Sequence, residues 1–174
     1  MKLYKSLLLE ATMDLTNKRI YFWRGIFSQW AKCDIYDDIL GITFNCAEQS
    51  MMWHKANTFK DEEAKEKILK VKDPREHKAI GRSIKNYDDK VWGEVRYDIV
   101  AATNYAKFSQ KTEWKELLIY TDGYELVEAS PYDRIWGVGL GEDNPEILDK
   151  KNWQGENLLG KAIMQARDEI IKNL

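Results

Sequence analysis

Glu48 is a carboxylate at a position where a helix is expected to begin. The segment of residues 45–58 opens with Asn45, a good N-cap residue, and carries Glu48 three positions later, as in a capping box. Offsets of four and seven residues return to one helix face, so Glu48, Met52 and Lys55 would lie together. Glu48 could therefore present its acid to a substrate, or it could merely close the capping box with Asn45.

The loop of residues 128–141 carries a second set of reactive side chains after a predicted strand. It combines Asp133, Arg134 and Trp136 with glycines, which let a backbone approach a ligand closely. The GxGxG spacing of residues 137–141 lacks the strand-turn-helix frame of a dinucleotide-binding site. Loops held by a rigid scaffold often carry function, but the same composition fits an ordinary turn-rich connection.

Arg82 and Trp92 are candidates for binding a phosphate and a planar base. The guanidinium of Arg82, next to Gly81, could hold a phosphate through paired N–H donors, or it could be a solvated surface group. Trp92 lies one position off the apolar stripe of the longest predicted helix. It could be a core residue or a plate on which a base stacks.

The composition narrows the remaining chemistry. The chain has seven tryptophans but only two histidines, His54 and His77, and neither lies in a known catalytic signature, so carboxylates are the expected proton carriers. Cys33 and Cys46 form no CxxC pair and are expected to be reduced and structural. Neither a cofactor nor a metal is predicted. The formal net charge of −2 provides no broad field for a nucleic-acid backbone.

Targeting signals are not apparent in the sequence. There is no run of 18 apolar residues, and the three leucines at positions 7–9, followed by Glu10, are too few for a signal-peptide core. We therefore expect a cytoplasmic protein without a membrane partner.

The 174 residues suggest one domain, and most of it after residue 45 reads as helical. Asp61 and Asp73-Pro74 mark two helix starts. Strands are predicted at residues 18–23, 42–44 and 124–129, and helices at 45–58, from 61, from 74 to about 81, and at 88–108, 112–120 and 155–172.

Several segments, taken in order, resemble the YbiA-like, or NADAR, family over about residues 20–170. The resemblance departs at Ser50-Met51, where the family has an aromatic residue, and the first 17 residues match no known segment. The matching segments are GIFSQW (25–30), FNCAEQSMMWHKA (44–56), DEEAK (61–65), PREHKAIGR (74–82), Trp92, AKFSQ (106–110), LVEASPYDRIWGVGL (126–140) and NWQGENLLGKAIMQAR (152–167).

The resemblance implies a single compact, mainly α domain with a few short β-strands, of the α+β class. It implies an N-glycosidase that hydrolyses the bond between a phosphorylated ribose and a nitrogenous base. The substrate would resemble the phosphoribosylamino-pyrimidine intermediates of riboflavin biosynthesis. The alternatives are a hydrolase that removes ADP-ribose from guanine in nucleic acid, and a non-catalytic module that binds ADP-ribose or NAD.

The partner would accordingly be a small ribosylated or ADP-ribosylated molecule, or an ADP-ribosylated nucleic acid. A basic strip beside the site would favour nucleic acid. Lys65, Lys67, Lys70 and Lys72 are candidates, although lysines that alternate with glutamates also fit a solvated helix face.

The matching motifs also imply the site residues. Glu48 would activate water, and Asp133 would position ribose hydroxyls or assist the departing base, although these two roles could be exchanged. Two tryptophans would wall the base and two cations would hold phosphate, while an asparagine amide could meet the substrate or fix a helix start. The implied set is Glu48 and Asp133 as catalytic residues, and Trp92, Trp136, Lys55, Arg82, Asn157 and Gly160 as substrate-binding residues.

Overall fold

A computed structural model describes residues 10–174 and shows a mostly helical chain with two small sheets, as the sequence predicted. Within this range lie six α-helices and five short strands. The strands are β1 (Ala11–Asp14), β2 (Arg19–Phe22), β3 (Ile35–Asp37), β4 (Ile42–Phe44) and β5 (Glu125–Glu128), and the helices are α1 (Ala47–Thr58), α2 (Glu62–Lys70), α3 (Pro74–Arg82), α4 (Asp89–Ser109), α5 (Thr112–Tyr120) and α6 (Leu158–Lys172).

Backbone contacts divide the chain into two compact units. We call residues 29–110 the helical unit; the sheet unit comprises residues 111–174 with the N-terminal segment up to Ser28. The single-domain organisation over residues 1–174 stays a prediction. The leucines at positions 7–9 lie outside the described residues. No helix in the described part of the chain is long and apolar enough to cross a membrane.

The sheet unit is built on a three-stranded sheet in the order β1-β2-β5. β2 is antiparallel to β1 and parallel to β5, with Ile20 opposite Leu126. The side chains of residues 20–22 and 126–127 are buried, and α6 packs against β5. Burial of this apolar surface supplies the main stabilisation of the unit.

The helical unit is organised around α1, which contacts α2, α3 and α4. Eight of its twelve residues are buried, including polar ones whose side chains are satisfied internally. The amide of Gln49 donates to the carbonyl of Ile68 at 2.9 Å, and the hydroxyls of Ser50 and Thr103 lie 2.9 Å apart. α1 is therefore fixed in rotation about its own axis.

Two helix starts differ from the prediction. The N-cap of α1 is Cys46, not Asn45, and its thiol accepts from the N–H of Gln49 at 3.4 Å. α6 begins at Leu158 instead of residue 155, because Asn157 has a left-handed backbone with φ of 53°, which a helix cannot include. β1 and β3 were not predicted, since three or four residues give too little alternation to detect.

Candidate functional site

Glu48 lies in the first turn of α1, and its residue is only 7% exposed. Its backbone N–H donates to the carbonyl of Gln29 at 2.9 Å. The capping interpretation of Glu48 is wrong, because Gln49 makes the return bond instead: its Oε1 accepts from the backbone N–H of Asn45 at 2.7 Å. The buried carboxylate thus lies at the positive end of the helix dipole.

Lys55 lies two turns further along α1, and its ammonium rests on aromatic faces. Nζ donates to the carbonyl of Gly81 at 2.8 Å and lies 4.2 Å from the ring centroid of Tyr87 and 6.0 Å from that of Trp92. Burial lowers the pKa of Lys55, while the carboxylates of Asp89 and Glu48 act to raise it. Lys55 is therefore a partly desolvated cation, suited to an anionic substrate group.

The aromatic residues around Lys55 differ in exposure. Trp92, in the first turn of α4, is 4% exposed. Most of its surface is therefore buried, as expected if it is a core residue. Tyr87 is exposed, and its hydroxyl donates to Oδ1 of Asp89 at 2.8 Å. The sequence analysis missed Tyr87, because no periodic pattern marks a residue in the turn before α4. Arg82, the last residue of α3, is exposed and follows the carbonyl that Lys55 binds.

Lys107 is a further buried cation that the sequence analysis missed. The residue is 1% exposed, and burial lowers its pKa to about 8, against the opposing effect of the Cys33 and Cys46 thiols. Burial also raises the pKa of Cys46 to about 11, so this cap stays protonated at neutral pH. Both cysteines are thiols, in line with the expectation of reduced residues.

Both histidines have structural surroundings. His77 is fully buried, with Nε2 3.1 Å from the carbonyl of Val71, and burial lowers its pKa. His54 lies 3.7 Å from a carboxylate oxygen of Asp37, and burial lowers its pKa as well, against the opposing charge of Asp37. These contacts are compatible with the view that carboxylates carry the protons.

Asp133 organises the loop that follows β5 in the sheet unit. Its Oδ1 accepts from the backbone N–H groups of Ile135 at 2.9 Å and Trp136 at 2.8 Å, and its carbonyl accepts from Gly139 at 3.2 Å. One carboxylate oxygen is therefore committed to the turn, and Oδ2 takes part in neither of these side-chain bonds. The half-buried Trp136 follows directly from this turn.

The same loop binds the start of α6. The N–H groups of residues 156–159 donate to the carbonyls of residues 134–137 at 2.9–3.2 Å. Three of these donors, those of residues 157–159, are among the N–H groups that a helix start normally leaves unpaired. The start of α6 thus holds the loop of Asp133 and Trp136 in place.

Asn157 binds the outer edge of β5 through both ends of its amide. Nδ2 donates to the carbonyl of Leu126 at 2.9 Å, and Oδ1 accepts from the N–H of Glu128 at 3.0 Å. Gly160 lies against the same strand, where a Cβ would collide with the Leu126 carbonyl and the Asn157 amide. These contacts commit the Asn157 amide to anchoring the start of α6 on β5.

An exposed aromatic pair beside Asp133 was also missed by the sequence analysis. Tyr132 is 86% exposed, and its ring centroid lies 6.3 Å from that of Trp23, whose ring is in turn covered by the guanidinium of Arg24 at 5.5 Å. Exposed aromatic surface on a structured loop is suited to stacking on a base. The signal was present in the motif around Asp133, but Trp23 is far away in sequence.

The predicted site residues fall into two groups. Glu48, Lys55, Arg82 and Trp92 lie in the helical unit. There the charge of Glu48 acts to raise the pKa of Lys55, and the Lys55 ammonium lies 6.0 Å from the ring centroid of Trp92. The sheet unit contains Asp133, Trp136, Asn157 and Gly160. These residues lie in or next to the segments that are joined by the backbone hydrogen bonds between residues 134–137 and 156–159.

Comparisons with known proteins show to which family the chain belongs. The NADAR domain matches residues 21–171. The chain belongs to the NADAR domain family. The N-glycosidase R617 of Acanthamoeba polyphaga mimivirus is 37% identical over 147 residues, covering 83% of this chain and 86% of the relative. The N-glycosidase YbiA of Shigella boydii is 30% identical over 146 residues, with 84% and 81% covered.

The fold comparison agrees with the family assignment. The NMR structure of the E. coli protein YbiA superposes with a TM-score of 0.74 at 27% identity, covering 92% of this chain and 89% of that protein. The chain is thus a YbiA-like N-glycosidase of the NADAR family, and the matched residues 21–171 include all eight predicted site residues.

Proposed function

We propose that this NADAR enzyme hydrolyses the N-glycosidic bond between a phosphorylated ribose and a nitrogenous base, as in phosphoribosylamino-pyrimidine intermediates of riboflavin biosynthesis. The observation that carries the proposal is the buried carboxylate of Glu48 on the helix that also carries Lys55. An acid and a desolvated cation on one rigid helix suit a substrate with a reacting sugar and an attached phosphate.

Glu48 is proposed as the group that acts at the anomeric carbon. Cleavage of a ribose–base bond develops positive charge on the sugar, and a fixed carboxylate stabilises that charge more strongly where water is excluded. The low exposure of Glu48 meets this condition. The same carboxylate can accept a proton from the attacking water as the new C–O bond forms, while the C–N bond breaks and the base leaves with its bonding electrons and takes up a proton from solvent.

Asp133 is proposed as a positioning residue for the ribose hydroxyls. Its Oδ1 is committed to two backbone N–H groups, so proton transfer at that oxygen would disturb the turn, whereas Oδ2 can accept from a sugar hydroxyl. Trp136 would wall the base. Lys55 and the exposed Arg82 would hold phosphate, with Trp92 contributing through its contact with Lys55.

The test is a comparison of wild type, Glu48→Gln and the control Glu94→Gln, which alters an exposed glutamate on α4. Each protein is incubated with phosphoribosylamino-pyrimidines, and base release is followed by chromatography. We expect Glu48→Gln to lose about a hundredfold or more in kcat, and Glu94→Gln to match wild type. Equal turnover by all three would remove Glu48 from the mechanism.

A second candidate is the removal of ADP-ribose from guanine in nucleic acid, and a group of cations in the helical unit favours it. Lys67 and Lys70 are exposed and ion-paired with glutamates of their own helix, as expected for a solvated face, whereas Lys65 pairs with Glu62 but is partly buried over the ring of Trp53. Lys72, however, lines a cavity with Lys32 and Arg75. Release of ADP-ribose from a modified guanosine oligonucleotide, with no turnover of pyrimidine substrates, would select this candidate.

Tight capture of ADP-ribose by the wild-type enzyme without hydrolysis of either substrate would instead support a non-catalytic module. Isothermal titration with ADP-ribose, run beside the two turnover assays, distinguishes this outcome from both enzymatic ones.

A further inference from the structure

Two side-chain amides, those of Gln29 and Asn104, lie buried in the helical unit, and neither has a part in the proposed reaction. Nδ2 of Asn104 donates to Oε1 of Gln29 at 3.1 Å. It also donates to the carbonyl of Val100, one turn earlier on α4, at 2.9 Å. The amide of Asn104 thus joins α4 to the segment that precedes β3.

The orientation of the Asn104 amide follows from these two partners. Oε1 of Gln29 and the carbonyl of Val100 both accept hydrogen bonds, so the nitrogen of Asn104 must face them and its oxygen cannot. That oxygen, Oδ1, is buried and has no hydrogen-bond partner among residues 10–174. A buried acceptor without a hydrogen bond destabilises a fold.

Asparagine at position 104 is unfavourable for the helix as well. α4 runs from Asp89 to Ser109, so Asn104 lies in its interior, where asparagine is a weaker helix former than leucine. Val100 and Phe108, one turn before and one turn after it, are buried apolar residues. Leucine, of similar size, would suit this position better. A residue that local rules disfavour without an evident structural gain is a candidate for a functional role.

Gln29 connects the amide of Asn104 to the turn that carries Glu48. Its side chain accepts from Asn104, and its backbone carbonyl accepts from the N–H of Glu48 at 2.9 Å. Glu48 is the second residue of α1, and a helix cannot satisfy this N–H from within itself. The other end of the Gln29 amide, Nε2, lies 3.9 Å from Sδ of Met51, which is a weak acceptor. Asn104 therefore provides the stronger of these two side-chain bonds.

We propose that Asn104 is a positioning residue for the N-glycosidase reaction. Through Gln29 it holds the first turn of α1, so that the carboxylate of Glu48 keeps one orientation toward the sugar. The inference rests on the proposed function, because it requires that Glu48 acts at the anomeric carbon. A small displacement of a reacting group costs much of its effect on the rate. Loss of the link should accordingly lower kcat and leave KM unchanged, since Lys55 and Arg82 are unaltered.

Thr103, one residue earlier on α4, offers a matched control. Its hydroxyl lies 2.9 Å from that of Ser50 and also joins α4 to α1, but this bond does not involve Gln29. Both Thr103 and Asn104 are buried. A general loosening of α1 against α4 would affect Thr103→Val and Asn104→Leu alike, whereas positioning through Gln29 affects only Asn104→Leu.

The link is measured without substrate, by hydrogen exchange of the Glu48 backbone amide in NMR spectra of isotope-labelled protein. We expect this amide to exchange about tenfold faster in Asn104→Leu than in wild type, the equivalent of one lost hydrogen bond, and within about twofold of wild type in Thr103→Val. The urea midpoint of Asn104→Leu should equal or exceed that of wild type, because the unpaired oxygen is removed. Unchanged exchange in Asn104→Leu, or a urea midpoint lowered as far as in Thr103→Val, would overturn the proposal.

Turnover then tests whether the link serves the reaction. Gln29→Met removes the same bond from its other side and keeps the length of the side chain. Asn104→Leu and Gln29→Met should each lower kcat about tenfold with KM within about twofold of wild type. The double variant should be no slower than either single one, because both remove one interaction. Additive losses, or an equal loss of kcat in Thr103→Val, would overturn the proposal.

The Glu48→Gln background separates this inference from the proposed function. Asn104→Leu should cause no further loss of the residual kcat in that background, because no catalytic carboxylate is left to position; a further tenfold loss would mark a merely structural effect. Wild-type turnover by Glu48→Gln would refute the role of Glu48 and, with it, the purpose of the link. Lost turnover in Glu48→Gln together with wild-type turnover in Asn104→Leu would refute the positioning role alone.

Discussion

Replacing Asn157 decides between the two roles that its motif allows. β5 is an edge strand of the sheet, and residues 125 and 129 donate toward β2, so Leu126 and Glu128 direct their backbone groups to the outer edge. The Asn157 amide pairs one carbonyl and one N–H there, as a neighbouring strand would. The edge is thereby covered without a fourth strand.

The cost of Asn157→Ala follows from these contacts. Two backbone groups lose their partner at about 1–3 kcal/mol each, and alanine adds about 1 kcal/mol at a φ of 53°, because it lacks the polar side chain that lets asparagine adopt this conformation. We expect the free energy of unfolding to fall by about 5 kcal/mol, within a range of roughly 3–7 kcal/mol. Asn157→Gly should be about 1 kcal/mol less damaging, because glycine adopts a positive φ without strain.

Urea unfolding followed by circular dichroism measures the loss, with the exposed Asn173→Ala, at the other end of α6, as control. Turnover is then expressed per folded molecule. A structural amide predicts normal kcat/KM in the folded fraction. A stability loss below about 1 kcal/mol together with lost turnover would refute this reasoning and place the amide on the substrate.

Three further predictions concern single positions. Gly160→Ala should lower the free energy of unfolding by about 2 kcal/mol or more, because its Cβ would meet the Leu126 carbonyl; unchanged urea midpoints would contradict this. Lys55→Met should raise KM for a phosphorylated substrate about tenfold. In wild type KM should begin to rise below the pH at which an ordinary lysine loses its proton, since burial lowers the pKa of Lys55; a KM independent of pH up to 10.5, the ordinary lysine value, would argue against its role. Lys107 has a folded pKa of about 8 against 10.5, so the unfolded chain binds more protons above pH 8 and stability should rise by about 1 kcal/mol from pH 7.5 to 9; Lys107→Met should abolish that rise, and a parallel profile in both proteins would exclude Lys107 as its source.

The local start of each helix was the feature most accessible from sequence. Asp61 and Asp73 cap α2 and α3 as predicted, with side chains that accept from residues two or three positions later. The cap of α1 was misplaced by one residue, because a cysteine thiol rarely takes this role and Asn45 is the stronger local candidate. The tertiary environment decided the matter: Gln49 reaches both Asn45 and the carbonyl of Ile68.

Contacts between residues distant in sequence were the part that periodicity could not supply. The contact of Lys55 with Tyr87 depends on how the turn before α4 meets α1, and the pair of Trp23 and Tyr132 joins the two sequence segments of the sheet unit. No local pattern encodes such distances. The family motifs located Glu48 and Asp133 in sequence, but only the hydrogen bonds distinguish what each acid is attached to.

That distinction bears on the assignment of the two acids. Enzymes that use two carboxylates place them in unlike environments, so that one can exchange a proton while the other stays charged. Asp133 accepts two backbone N–H bonds at one oxygen, and these bonds fix the orientation of its carboxylate. Glu48 lies buried at a helix start whose cap is made by other residues. We therefore propose Glu48 for activation of water and Asp133 for holding the ribose, rather than the exchange of roles that the sequence left open.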